Sequence, residues 1–315
     1  MKKFKKHILH FFLKLKVFRT KDSILIFSEA RGGSTWLMEL LKNIPGVIIN
    51  WEPLHVDYGV VPKSYKLGWR PKIDKENKET KYKTLFSNII RMKTFNDWTT
   101  KYVSWKDVQS SKYVLTKFVR GNQCLPWFVN TFSELKHPPI LLLRHPITTC
   151  ISRLKTFEGV TNVNVALLEN DMSFKIPDCI NNERFVNHQK YIHELQTQLE
   201  VEIAIWCVNN ADIIKLENQN KWMTLFYEDL VSNPKQTLKE VLKGIHIELS
   251  DAVVNQIQYT KPSASNYHGN FKPSKVKQIE SYLDHLNQDT LLRIQSIFDY
   301  FNLKVYSAFS AYPIK

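Results

Sequence analysis

The chain has 315 residues, 43% of them hydrophobic, and a formal charge of +14, which is enough apolar content for a full core. Nine glycines and no internal repeat exclude collagen-like and solenoid architectures and argue against disorder. Cys124, Cys150, Cys179 and Cys207 form no C-x-x-C pair, so buried, reduced thiols of an intracellular protein are expected rather than a metal site or a disulfide framework.

The charge is concentrated at the start. Eight cations lie between Lys2 and Lys21, before the first acid, Asp22. The apolar run from His7 to Leu13 is too short to span a bilayer and is followed by no small-residue cleavage site. Residues 1–21 therefore read as a basic amphipathic leader, either lying on anionic lipid or packed on a domain that runs from 22 to 315. A cytoplasmic location is expected, with peripheral contact at the inner face of a membrane if the first alternative holds. A basic body suits a polyanionic ligand.

Ser23–Phe27 is the first strand signal. It runs into Ser28-Glu-Ala-Arg-Gly-Gly-Ser-Thr-Trp36, and helical periodicity follows to about Lys42. A strand, a glycine-bearing turn with hydroxyls and a helix N-terminus make a phosphate cradle. A Walker A loop would carry lysine just after its last glycine. Here Ser34 follows Gly33, and the cation, Arg31, precedes both glycines.

Further strands are predicted at 47–49, 114–119, 139–143 and 222–227, and helices at about 125–132, 147–157, 184–214, 235–242 and 275–301. The polar stretches 60–80 and 158–182 break the rhythm and are candidate substrate-facing loops. Strands alternating with helices predict an α/β fold. It is a single domain with a mostly parallel central sheet and helices on both faces.

Two later segments join the first loop. Leu142-Leu143-Arg144-His145-Pro146 ends a strand, with Ser152 eight residues after Arg144. Leu225-Phe226-Tyr227-Glu228-Asp229-Leu230 ends the last strand. On these motifs the chain resembles the PAPS-dependent sulfotransferases, which move a sulfuryl group from 3′-phosphoadenosine 5′-phosphosulfate (PAPS) to a hydroxyl or amine and leave 3′-phosphoadenosine 5′-phosphate (PAP). The resemblance implies a P-loop-like fold and a donor site made of Arg31, Gly32, Gly33, Ser34 and Thr35 at the 5′-phosphosulfate. It puts Arg144 and Ser152 at the 3′-phosphate, and Trp36 and Tyr227 near the adenine. Arg31 is also expected to act on the transferring group, with no metal required.

In the branch of the family acting on phenols and steroids, a histidine in a Lys-x-His strand is the base. Here that strand reads Lys117-Phe118-Val119-Arg120, so that mechanism is not expected. Asn50-Trp51-Glu52-Pro53-Leu54-His55 instead is similar to the Glu-Pro segment of the Golgi carbohydrate sulfotransferases. This makes Glu52 the expected general base, His55 the alternative base or an acceptor contact, and Lys117 the transition-state cation, with Arg120 facing the acceptor. The implied acceptor is a glycan or glycolipid hydroxyl; no nucleic-acid partner is expected. Lys261, Ser263 and Ser265 fall where the family closes over the 3′-phosphate, but the family signature is missing there. A P-loop-type kinase and a non-catalytic membrane- or polyanion-binding protein are the alternatives.

Overall fold

The computed structural model describes residues 2–157, 174–216, 221–259 and 279–314. Five strands form one sheet: β1 (Ser23–Ser28), β2 (Val47–Trp51), β3 (Tyr113–Val119), β4 (Ile140–Leu143) and β5 (Met223–Phe226). Their order is β2-β3-β1-β4-β5, and every pairing is parallel. The fold is therefore α/β. The strands read as near-continuous apolar runs because helices flank the sheet and leave β1, β2 and β4 entirely buried.

The helices are α1 (Lys2–Leu15), α2 (Ser34–Leu41), α3 (Thr80–Ile90), α4 (Trp105–Ser110), α5 (Leu125–Thr131), α6 (Pro146–Phe157), α7 (Glu183–Val186), α8 (Gln189–His193), α9 (Gln198–Lys215), α10 (Tyr227–Ser232), α11 (Pro234–Gly244), α12 (Asp251–Gln256) and α13 (Gln288–Tyr300). The long helix expected over 184–214 is three pieces. Thr197 leaves helical geometry and starts α9 with a capping box: its side chain accepts from the Glu200 N–H, and the Glu200 carboxylate accepts from the Thr197 N–H. The helical stretch expected over 275–301 is confined, among the described residues, mainly to α13, which Asn287 caps through the Thr290 N–H. Helices α3, α4, α10 and α12 are additional to the sequence reading, although Ser104 and Asp107 form a capping box at α4; Tyr227, expected to end the last strand, instead starts α10.

Parallel pairing brings every strand's carboxyl end to one edge of the sheet. From β1 the chain goes out to β2, returns to β3, and then crosses β1 to reach β4. That reversal beside β1 is a topological switch point, where α/β sheets open a crevice. A second, smaller core lies away from this edge, where Leu13 and Phe18 pack with Ile48, Met92, Val108 and Val114. All four cysteines are buried and unpaired.

Candidate active site

The strand ends border a cavity of about 840 Å³. On the β1 side, Gly33 precedes α2 with φ of 89°. A Cβ there would lie 2.2 Å from Cδ2 of Tyr227, and one on Gly32 would lie 2.4 Å from Oγ of Ser28. Only glycine lets this turn pass between β1 and the Tyr227 ring. Ser34 and Thr35, in the first turn of α2, then line the cavity where the helix dipole is positive.

Arg31 Nε donates to Oγ of Ser152 (3.1 Å). Nη1 of Arg144 donates to the Arg31 carbonyl (2.9 Å), and the Arg144 guanidinium lies 4.7 Å from the centre of the Tyr227 ring. Tyr227 in turn meets Trp36 edge-on at 6.0 Å. The structure thus gathers Arg31, Gly33, Ser34, Thr35, Trp36, Arg144, Ser152 and Tyr227 along one wall, with Gly32 just behind it. Nε of Arg144 is buried without a partner among the described residues. A glycine-lined turn, a helix N-terminus, an incompletely bonded arginine and two aromatic rings fit a nucleotide bearing several anionic groups. Glu228 does a different job: it accepts from the His145 N–H and from the Tyr306 hydroxyl, tying the end of β4 to the C-terminal segment.

Lys117 stands at the centre of the opposite wall. It lies on β3 between Ile26 of β1 and Trp51 of β2, and its side chain is 1% exposed. Its ammonium is 2.7 Å from Oε1 of Glu52, donates to Oγ1 of Thr35 (3.0 Å), and sits 3.4 Å from the centre of the Trp51 ring. Burial lowers its pKa to about 8 from an ordinary 10.5, against the opposing pull of Glu52. Lys117 thereby bridges the first loop, through Thr35, to the expected base.

Glu52 directly follows β2 with φ of 39°, and its carbonyl accepts from the Trp98 indole N–H (3.3 Å). Arg31 and Arg120 also have left-handed backbones, with φ of 67° and 62°. Such conformations cost free energy in residues other than glycine and concentrate where geometry is held for function. The sequence gives no sign of them.

His55 stands among the rings of Tyr58, Trp69 and Trp98 at 4.7–4.9 Å. Its Nδ1 accepts from the backbone N–H groups of Asp57 and Tyr58, both at 3.3 Å. Burial lowers its pKa in spite of Glu52 and Asp57. The neutral tautomer then carries its proton on Nε2, which makes His55 a donor at the cavity mouth. Beside it Lys101 lies 4.0 Å from the Trp51 ring centre and 4.3 Å from that of Trp98.

A buried charge network that sequence reasoning missed forms the floor. Arg153 pairs with Glu202 and lies 3.8 Å from Glu29, whose other oxygen accepts from Asn209. Burial pushes the Glu29 carboxyl up, but Arg70, Arg153 and Arg120 outweigh it and hold the pKa below the usual range. Arg70 and Arg120 have no carboxylate partner among the described residues, and Nε of each is buried without a hydrogen bond. Burial, then repulsion from Arg70 and Arg153, lowers Arg120 to about 10. Its guanidinium stacks 4.6 Å from the Trp69 ring centre. Lys261, Ser263 and Ser265, and residues 158–173 of the candidate loop 158–182, lie outside the described residues. Among the described residues no group of three His, Cys, Asp or Glu side chains is placed to hold a metal ion.

A parallel α/β sheet with an anion cradle at its switch point is the architecture of a nucleotide-binding protein. Residues 21–300 match the sulfotransferase domain family, and the chain belongs to that family. The structure is similar to mouse sulfotransferase SULT7A1 complexed with PAP, at 12% identity over 91% of this chain and 86% of that one, with a TM-score of 0.46. It is also similar to the sulfotransferase domain from the curacin biosynthetic pathway (15% identity, 89% and 96% of the two chains, TM-score 0.42). A third similar structure is the sulfotransferase domain of the Synechococcus PCC 7002 olefin synthase (14%, 92% and 100%, TM-score 0.40). No curated protein sequence matches the chain.

Proposed function

We propose that this sulfotransferase takes its sulfuryl group from PAPS and delivers it to a hydroxyl of a carbohydrate or sugar-bearing acceptor. The observation that carries this reading is the pairing of buried Lys117 with Glu52, held at 2.7 Å between Thr35 on the donor side and the aromatic mouth on the other.

Arg31, Ser34 and Thr35 would hold the phosphosulfate, Arg144 and Ser152 the 3′-phosphate, and Trp36 and Tyr227 the adenine. When bound, PAPS supplies an activated sulfuryl group whose S–O bond to the 5′-phosphate breaks as the acceptor oxygen bonds to sulfur. Glu52 accepts the proton that the acceptor hydroxyl loses in this step. Lys117 and Arg31 stabilise the negative charge that develops on the leaving phosphate oxygen, so catalysis is mainly positioning and electrostatics. His55 donates to the acceptor, since its Nδ1 is occupied by backbone N–H groups. Trp69, Trp98 and Tyr58 supply broad apolar faces with polar edges at the mouth, which suit the faces of sugar rings.

The test is a panel of glycan acceptors incubated with labelled PAPS. Label should pass to an acceptor with the wild-type protein and not with Glu52→Gln or Arg31→Ala. Phosphate transfer from ATP in the same panel would overturn the reading in favour of a kinase.

A further inference from the structure

Helix α1 has two apolar faces, and only one of them is used by the fold. Leu9 and Leu13 turn inward to the small core around Ile48 and Val114. Phe4, Ile8, Phe11 and Leu15 are spaced 4, 3 and 4 apart and so form one stripe along the other side. That stripe faces solvent, with Phe4 70%, Phe11 60% and Leu15 64% exposed. Phe12 and the exposed Trp105 of α4 extend it, their rings 5.0 Å apart. At 3.6 residues per turn, Lys5 flanks the stripe on one side and His7 and Lys14 on the other. No acid occurs before Asp22.

The helix is fixed with this face outward. Lys6 Nζ donates to the Asp97 carbonyl (2.9 Å), His10 bonds Oγ1 of Thr100 (2.8 Å), and Lys16 Nζ donates to the Gln109 carbonyl (3.0 Å). Among the described residues no helix is long and apolar enough to cross a membrane. At 14 residues, α1 is about 21 Å long.

We infer that α1 docks the protein on the surface of an anionic lipid bilayer, lying in the plane with the Phe4–Leu15 stripe among the acyl chains and its lysines at the headgroups. Charge selects the occupant. A stripe of large apolar side chains bordered on both sides by cations and by no carboxylate of its own segment matches a negatively charged, apolar-cored surface. The turn that anchors α1 also supports the catalytic cavity. Its Thr99 carbonyl accepts from the Trp51 N–H (2.9 Å), Trp98 bonds the Glu52 carbonyl, and Asn96 donates to the Tyr58 carbonyl (2.9 Å). A docked helix is therefore tied through one turn to the residues of the cavity mouth.

The test is flotation of the full chain with vesicles of phosphatidylglycerol and phosphatidylcholine, or of phosphatidylcholine alone. Binding is expected to the first and not to the second, and to weaken with salt. Replacing Phe4, Phe11 and Leu15 together by serine should lower the bound fraction about tenfold or more, with the circular-dichroism melt unchanged. Lys5→Glu with Lys14→Glu should release the protein as well, and serves if the serine variant melts early. Equal binding to both vesicle types, or full binding by the serine variant, overturns the inference. So does a wild-type dimer that the serine variant converts to monomer without any vesicle binding, which would assign the stripe to a second copy.

Discussion

The two walls of the cavity are built by different rules. The wall around β1 and β4 has a contiguous centre: Arg31, Gly33, Ser34, Thr35 and Trp36 come from six consecutive positions, backbone constraint does much of the work, and Arg144, Ser152 and Tyr227 join it from later elements. The wall around β2 and β3 is assembled from afar. Glu52 meets Lys117 across 65 positions because Trp51 and Lys117 are register partners, and Lys101 arrives from a separate turn. On the proposed reading, the first wall holds the donor's anionic groups through a glycine turn and a helix N-terminus, whereas the second wall meets the acceptor through side chains.

The sharpest way to break this division is Glu52→Gln. It should cut kcat by about 10²–10⁴-fold while the affinity for PAP, measured by calorimetry, stays at the wild-type value. A matching loss of PAP affinity would mean the walls are not separable. Lys117→Met should lower turnover by about 10²–10³-fold. In the wild type, kcat should fall as pH rises through about 8, as Lys117 loses its charge. Stability should move the other way. Between about 8 and 10.5 the unfolded chain holds the Lys117 proton more tightly than the folded one, so this group's contribution rises with pH. Denaturant titrations across that window, on wild type and Lys117→Met, read the difference. Gly33→Ala, which pushes a Cβ into the Tyr227 ring, should weaken PAP binding about tenfold or more. His55→Gln keeps a donor at the mouth and should change kcat by no more than about threefold; a loss as large as that of Glu52→Gln would make His55 the base.

The same division explains what was legible in the sequence. All five strands were visible as short apolar runs, and their alternation with helices gave the parallel sheet. The first loop was legible because its chemistry is contiguous. Arg144 and Ser152 were named by resemblance, one at a strand end and one eight residues later on the following helix. Glu52 and Lys117 were each named only by resemblance, and their contact was not read at all, since it depends on strand register, which no local pattern specifies. Arg70, Arg153, Glu29 and Glu202 went unnoticed: four charged residues scattered over 174 positions look like surface until the fold buries them. Helix breaks at Thr197 and Asn287 were readable in principle, as caps within longer apolar periodicity.

Arg70 and Arg120 have a consequence for how the protein is handled. Arg70 and Arg120 are buried close enough to repel each other, with Glu29 and Glu202 acting against that repulsion. Anions that settle there relieve the repulsion, and any ligand that binds only the folded chain raises its stability, by about 2.7 kcal/mol at one hundred times its dissociation constant. The melting temperature is then an occupancy gauge that needs no acceptor and no turnover. A library of sulfated, phosphorylated and uronic-acid sugars could be ranked by the heat the protein survives.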